Sequence, residues 1–208
     1  MDTAPRLTGI SRWAGCILAG GKGERMGGKD KGLVSYQGYP LALHVARRLA
    51  PQVDTVVISA NRNQDIYAAL GYAVIADRIA GFAGPLAGMH AALCALKSDF
   101  EAVLCVPCDS PDIPPDLALR LSQGMNGARA AVASINGVAE PTFVMLRSGE
   151  AEAIAGYLAR GQRKIATFLN EIDARRIAFD DVPMAFVNFN TSEELREREA
   201  RLMTPHGS

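Results

Sequence analysis

Apolar and polar positions alternate along this chain in two rhythms. Short, nearly continuous apolar runs, the mark of strands buried on both faces, occur at "AGCILAG", "DTVVISA", "YAVIAD" and "EAVLCVPCD". Between them, apolar residues recur at helical spacing. "PLALHVARRLA" places Leu41, Val45 and Leu49 on one side and Arg47 and Arg48 on the other. "NQDIYAALG" predicts a helix closed by Gly71, and the loop "GFAGPLAG" feeds a helix over "LAGMHAALCALK". "PPDLALRLSQG" predicts a helix with proline at its start. Beyond it, two strand-like segments, "ARAAVASIN" and "PTFVMLR", flank "GVAE". Helices over 149–159 and 164–170, a last strand "RRIAFDD", and a terminal helix opened by Thr191 with Glu194 as capping box complete the pattern.

Strand–helix alternation implies right-handed βαβ crossovers and a mostly parallel sheet with helices on both faces. The expected fold class is α/β, a Rossmann-like three-layer sandwich. The sequence shows no repeat, low-complexity tract or linker, so residues 1–208 are expected to form one domain. Ligands of such sheets lie beyond the carboxyl ends of the strands. The breaks after Leu18, Ser59, Asp77 and Cys108 are strand ends on this reading, which brings Gly20, Asp77 and Asp109 near one another.

Composition narrows the function classes. The 208 residues are 49% hydrophobic and 21% charged, ordinary for one well-buried globular core. Formal net charge is zero, so no global field favours nucleic acid or an acidic membrane. No apolar run approaches the roughly 20 residues that span a bilayer. The opening "MDTAPRLTGISRW" lacks the basic-then-apolar order of a signal peptide. A cytoplasmic protein with neither nucleic acid nor membrane as partner is expected. Of the four cysteines, Cys105 and Cys108 have C-x-x-C spacing, which redox or zinc sites also use. No second C-x-x-C exists and His44, His90 and His206 are scattered, so all four cysteines are read as small structural residues.

The chemistry concentrates in "CILAGGKGERMGGKDKGL", a buried strand that dissolves into glycine and base. The dinucleotide fingerprint G-x-G-x-x-G fails, because Gly21 and Gly23 are followed by Met26. The P-loop pattern nearly succeeds: Gly23 and Gly28 have the spacing and Lys29 follows, but Asp30 stands where a magnesium-binding hydroxyl belongs. A glycine-rich surface turn is the bland alternative. The stretch "LAGGKGERMG" followed by "DKGL" resembles the loop of nucleotide-activating transferases. Glycines let backbone N–H groups approach a triphosphate. Arg25 and Lys31 then supply positive charge where the reacting phosphorus gains negative charge.

The insertion "MGGKDKGL" makes the sequence similar to the molybdenum cofactor guanylyltransferases, whose fold is that of the nucleotide-diphospho-sugar transferases. "ANRNQDIY", "GPLAGM", "PCDSPDIPPDL" and "VNFNTSEEL" match in the same order, and the resemblance runs from about Cys16 to Leu195. It implies transfer of GMP from magnesium-bound GTP to the terminal phosphate of molybdenum-molybdopterin, with pyrophosphate leaving. It assigns Arg25, Lys31 and Asp109 to catalysis, with Asp109 in "PCD" as the Mg2+ ligand. It places Leu18, Ala19, Gly20, Gly21, Lys31, Ser59, Asp77, Gly84, Pro85, Leu86 and Asp109 at GTP. Ser59 departs from the family, which often carries asparagine in "VVVNANR" where this chain has "VVISANR". Asn188 and Asn190 of "VNFNTSEEL" become molybdopterin-side residues. Residues of about 12–125 would form the GTP half and about 126–203 the molybdopterin half. A monomer is expected, with other molybdenum cofactor biosynthesis or acceptor proteins as further partners. Two alternatives stay open: a cytidylyl- or sugar-1-phosphate nucleotidyltransferase, and a nucleotide-binding module without turnover.

Overall fold

The computed structural model describes residues 12–20, 30–79, 84–189 and 192–203. Gly21, Arg25, Lys29, Asn190 and Thr191 lie outside the described residues.

Four apolar runs become parallel strands: β1 (Trp13–Leu18), β4 (Thr55–Ser59), β5 (Ala73–Ile75) and β6 (Ala102–Pro107). β2 (Ser35–Tyr36) and β3 (Tyr39–Pro40) form a separate small hairpin. β7 (Ala130–Ile135), β8 (Val138–Arg147) and β9 (Arg175–Ala178) complete the large sheet, whose order is β5-β4-β1-β6-β8-β7-β9. Only β8 runs against its neighbours in this seven-stranded sheet, so the expected mostly parallel α/β sandwich is present. The chain moves outward from β1 through β4 to β5, then returns to β6 on the other side of β1. The crevice between the ends of β1 and β6 is therefore the topological switch point, where α/β sheets bind ligands.

The two faces are covered by different helices. α1 (Leu41–Leu49), α2 (Gln64–Ala68) and α4 (Leu117–Met125) pack on one face with Ile17, Ile58, Leu104 and Val106. α3 (Pro85–Leu96), α5 (Ala151–Ala159) and α6 (Ile165–Glu171) pack on the other with Cys16, Val57, Val103 and Cys105. Along β6 the side chains alternate between these cores, the period-two rule of a strand. A third, small cluster joins the β2–β3 hairpin to the C-terminal segment through Tyr36, Leu41, Phe189 and Leu195 of α7 (Ser192–Met203). Among the described residues, no helix is long and apolar enough to cross a membrane.

Three local expectations shift. The break expected at "GVAE" is instead a turn at Asn136–Gly137, both at positive φ (49° and 77°), and Val138–Glu140 already belong to β8. Asparagine followed by glycine supplies the two left-handed positions that match strand twist. α4 begins at Leu117 after Asp116, so the prolines precede the helix rather than open it. α2 is short and follows Asn63 at φ 51°.

Alternation also separates the C-x-x-C pair. Cys105 enters the core under α3, and Cys108 enters the opposite core beside Tyr67. Two thiols on opposite faces cannot share one metal ion. Cys105 instead sits opposite Cys16 on β1, and contact with that thiol together with burial pushes its own thiol far up. Burial, followed by the carboxylates of Asp109 and Asp30, likewise raises the Cys108 thiol, which stays protonated at neutral pH. Cys108→Ser is expected to keep turnover but lose about 1–3 kcal/mol of stability if its hydroxyl finds no partner. Thermal unfolding and a turnover assay check this; stoichiometric zinc in metal-free preparations would contradict it.

Candidate active site

The end of β1 is tied to both neighbours. Ala19 N–H donates to Ser59 O at 2.8 Å, and Cys108 N–H donates to Leu18 O at 3.2 Å. Leu18, Ala19 and Gly20 thus stand between the ends of β4 and β6, with Gly20 exposed at the surface. Gly21 and Arg25 follow outside the described residues, and the chain is described again at Asp30.

Lys31 and Asp109 meet across the switch point. Asp109 follows β6 and is almost buried, at 8% exposure. Lys31 Nζ donates to Asp109 Oδ2 at 2.8 Å, an ion pair between residues 78 apart in sequence. The basic loop and the strand-end carboxylate, separate motifs in the sequence, form one charged unit.

Asp77 and Asn61 form a second unit beside it. Asn61 Nδ2 donates to Asp77 Oδ2 at 2.7 Å, and Asp77 N–H donates to Asn61 Oδ1 at 2.9 Å. A methyl built on Gly20 would lie 3.6 Å from Asn61 Nδ2, so these groups border the same strand edge. Sequence reasoning passed over Asn61, although it lies in the "ANRNQDIY" match. Ser59 is 2% exposed. Its hydroxyl faces Gly88 of α3 so closely that a Cβ there would sit 2.6 Å from Oγ. A serine fits under this helix turn, where a longer side chain such as asparagine would need more room. Gly84 (φ 70°) and Pro85 open α3 at the surface, whereas Leu86 is fully buried in the core beneath.

The C-terminal segment reaches the same place. Phe189 N–H donates to Asp109 O at 3.0 Å, and Ser110 Oγ donates to Asn188 Oδ1 at 2.5 Å. Phe189 stacks on Tyr36, and Arg198 of α7 donates to Asp112 Oδ2 at 3.1 Å. Asn188, expected on an acceptor side, therefore adjoins the loop that carries Asp109. Ser110 and Phe189 were missed, and nothing local in the sequence marks their partners.

The residues fit a metal that arrives with a substrate. Magnesium bound with a triphosphate needs one or two carboxylates, the rest of its shell being phosphate oxygens and water. Asp109 supplies a carboxylate at the crevice. Among the described residues no group of three or more His, Cys, Asp or Glu side chains could hold a resident ion.

The lysine–carboxylate pair thus stands at the switch point of a 3-2-1-4 parallel core, the place where such sheets bind ligands. A family profile, the MobA-like NTP transferase domain, matches residues 15–175. A molybdenum cofactor guanylyltransferase of Yersinia pestis (strain Pestoides F) is 45% identical over 187 residues, 90% of this chain and 92% of the relative. The chain belongs to the MobA-like NTP transferase family and, within it, to the molybdenum cofactor guanylyltransferases. Solved structures agree on the fold. Molybdopterin-guanine dinucleotide biosynthesis protein A from Archaeoglobus fulgidus matches with a TM-score of 0.75 at 22% identity, covering 91% of this chain and 98% of that one. The 4-diphosphocytidyl-2C-methyl-D-erythritol synthase of Anaerococcus prevotii matches with a TM-score of 0.70 at 12% identity, covering 93% and 96%.

Proposed function

We propose that this protein transfers GMP from magnesium-bound GTP to the terminal phosphate of molybdenum-molybdopterin, giving molybdopterin guanine dinucleotide and pyrophosphate. The observation that carries the reading is the Lys31–Asp109 pair at the switch point, in a chain 45% identical to a named guanylyltransferase. An oxygen of the acceptor phosphate forms a bond to the α-phosphorus of GTP. The bond from that phosphorus to the bridging oxygen breaks, and pyrophosphate carries off the electron pair. Both reactants are anions, so the protein's task is to neutralise and align them.

The chain's own residues divide that task. Asp109 would hold Mg2+, which would neutralise part of the triphosphate's charge. Lys31 would turn from Asp109 to the phosphates, joined by Arg25 on the pyrophosphate side. Backbone at Leu18, Ala19, Gly20 and Gly21 lines the nucleotide. Asp77, held by Asn61, faces the same edge, with Ser59 buried behind it under α3, and Gly84 and Pro85, backed by Leu86, wall the base. Residues of about 12–125 then form the GTP half. Residues of about 126–203 form the molybdopterin half, with Asn188 and Asn190 toward the acceptor. The protein works as a cytoplasmic monomer and hands its product to other molybdenum cofactor proteins.

Thermal unfolding with magnesium and each nucleoside triphosphate in turn tests this reading. GTP alone should raise the midpoint, since a ligand at a hundred times its dissociation constant adds about 2.7 kcal/mol. Equal stabilisation by CTP or UTP would overturn the guanine preference. Pyrophosphate release from CTP or UTP, but not GTP, would replace the reaction by the cytidylyl or sugar-phosphate alternative.

A further inference from the structure

We propose that Asp30 and Tyr67 are positioning residues for Lys31: a buried phenol on α2 anchors the carboxylate next to the lysine and so sets where its ammonium stands. The proposal rests on the reading of Lys31 as the triphosphate lysine.

Asp30 precedes a single 3-10 turn, Lys31–Leu33, closed by Leu33 N–H to Asp30 O at 3.0 Å and Val34 N–H to Lys31 O at 3.1 Å. An aspartate at such a place ordinarily caps its own turn. Here it makes no side-chain cap bond. Its oxygens instead reach across to the start of α2. Tyr67 Oη donates to Oδ1 at 2.5 Å, and Asn63 Nδ2 donates to Oδ2 at 3.0 Å. Asn63 holds its left-handed conformation at the head of that helix, and Tyr67 N–H donates to Asn63 O at 3.1 Å. The two donors therefore come from one helical turn.

The next contact comes from Gly32. A Cβ there would overlap Tyr67 Oη, so the turn lies directly on the phenol. Asp30 is bonded to α2 and Gly32 is packed on it. Lys31 between them cannot shift its backbone without breaking one or the other. Its side chain projects away, to Asp109. Tyr67 is fully buried in the core that holds α1, α2 and α4, so the anchor is part of the rigid scaffold. Burial raises the phenol's pKa far above its ordinary value, which keeps it a donor throughout the working pH range. The same geometry gives the Asp30 carboxylate partners of its own: both oxygens accept hydrogen bonds from α2 and the residue at its head.

The test is a double-mutant cycle read in GTP turnover, with pyrophosphate release from GTP and molybdenum-molybdopterin as the assay. Tyr67→Phe keeps the ring that fills the core and removes only the donor. It should lower kcat/KM about 10-fold, within the roughly 100-fold that a misplacement of an ångström can cost. In a Lys31→Ala background the same change should alter turnover less than about 2-fold, because residues acting through one group are not additive. The shift in unfolding midpoint should be the same in both backgrounds. Asp30→Asn, which keeps an oxygen for the phenol, should lose less activity than Asp30→Ala. If Tyr67→Phe does not fold, Asp30→Ala at its partly exposed position carries the cycle instead. Equal fold-losses in the two backgrounds, or wild-type turnover in Tyr67→Phe, would overturn the proposal while leaving Lys31 in place. Full activity in Lys31→Ala would overturn the phosphate-lysine reading itself and the proposal with it.

Discussion

Asp109→Asn is expected to fold and to lose turnover by about 100-fold or more, the range seen when one electrostatic stabiliser of a transition state is removed. The amide keeps the size of the carboxylate. It also keeps an oxygen within reach of Lys31, which is partly exposed and can complete its solvation with water. The backbone of Asp109 is held independently, through Phe189 N–H on its carbonyl. The fold therefore has little reason to change, and the unfolding midpoint should move by only a few degrees. The lost negative charge is what would hold a divalent cation against triphosphate oxygens. Turnover and metal dependence, measured beside a melting curve, separate the two effects. Metal-dependent turnover near wild type would remove Asp109 from the proposed role.

Lys31→Ala is expected to cost roughly 10- to 150-fold in GTP affinity or rate. That is the loss of a hydrogen bond to a charged group, about 1.5–3 kcal/mol, converted at about 1.4 kcal/mol per tenfold. The variant also leaves the Asp109 carboxylate without its cation in an almost buried position. Its stability cost should stay below the about 3–5 kcal/mol of a fully buried broken pair, because the lysine end is partly solvated. Lys29→Ala should lie within a few-fold of wild type. The two lysines thereby separate two loop assignments. A P-loop would depend on Lys29, whereas the proposed guanylyltransferase loop would depend on Lys31. GTP affinity and turnover of both variants decide it; a crippled Lys29→Ala would mean the loop has been assigned to the wrong class.

Much of the fold was legible because strand burial leaves a direct trace. "EAVLCVP" is apolar at consecutive positions since both faces of β6 are covered, and "PLALHVARRLA" has one apolar side since α1 covers only one face. The hairpin boundary was missed because apolar content says where a strand is buried but not where it turns. Asn136 and Gly137 carried that information in their tolerance of positive φ. Asp30 was legible only as a departure from the P-loop pattern, standing where a hydroxyl belongs. Its orientation toward Tyr67 depends on α2, 37 residues away.

The sequence by itself determined the order of the large sheet's strands and of the main helices, the end of β1 at Leu18, the end of β6 shortly before Asp109, and the basic glycine-rich stretch that follows β1. Each of these follows from local periodicity or from residue types that only certain backbones accept. Tertiary structure alone decided which strand end meets which. It paired Lys31 with Asp109 and Asn61 with Asp77, and laid Asn188 and Phe189 against the Asp109 loop. The physical reason is that a hydrogen bond or ion pair depends on positions in space, which are set by the crossovers and the packing of the whole sheet. Local sequence records a residue's exposure and backbone preference, and holds no record of a partner 78 positions along the chain.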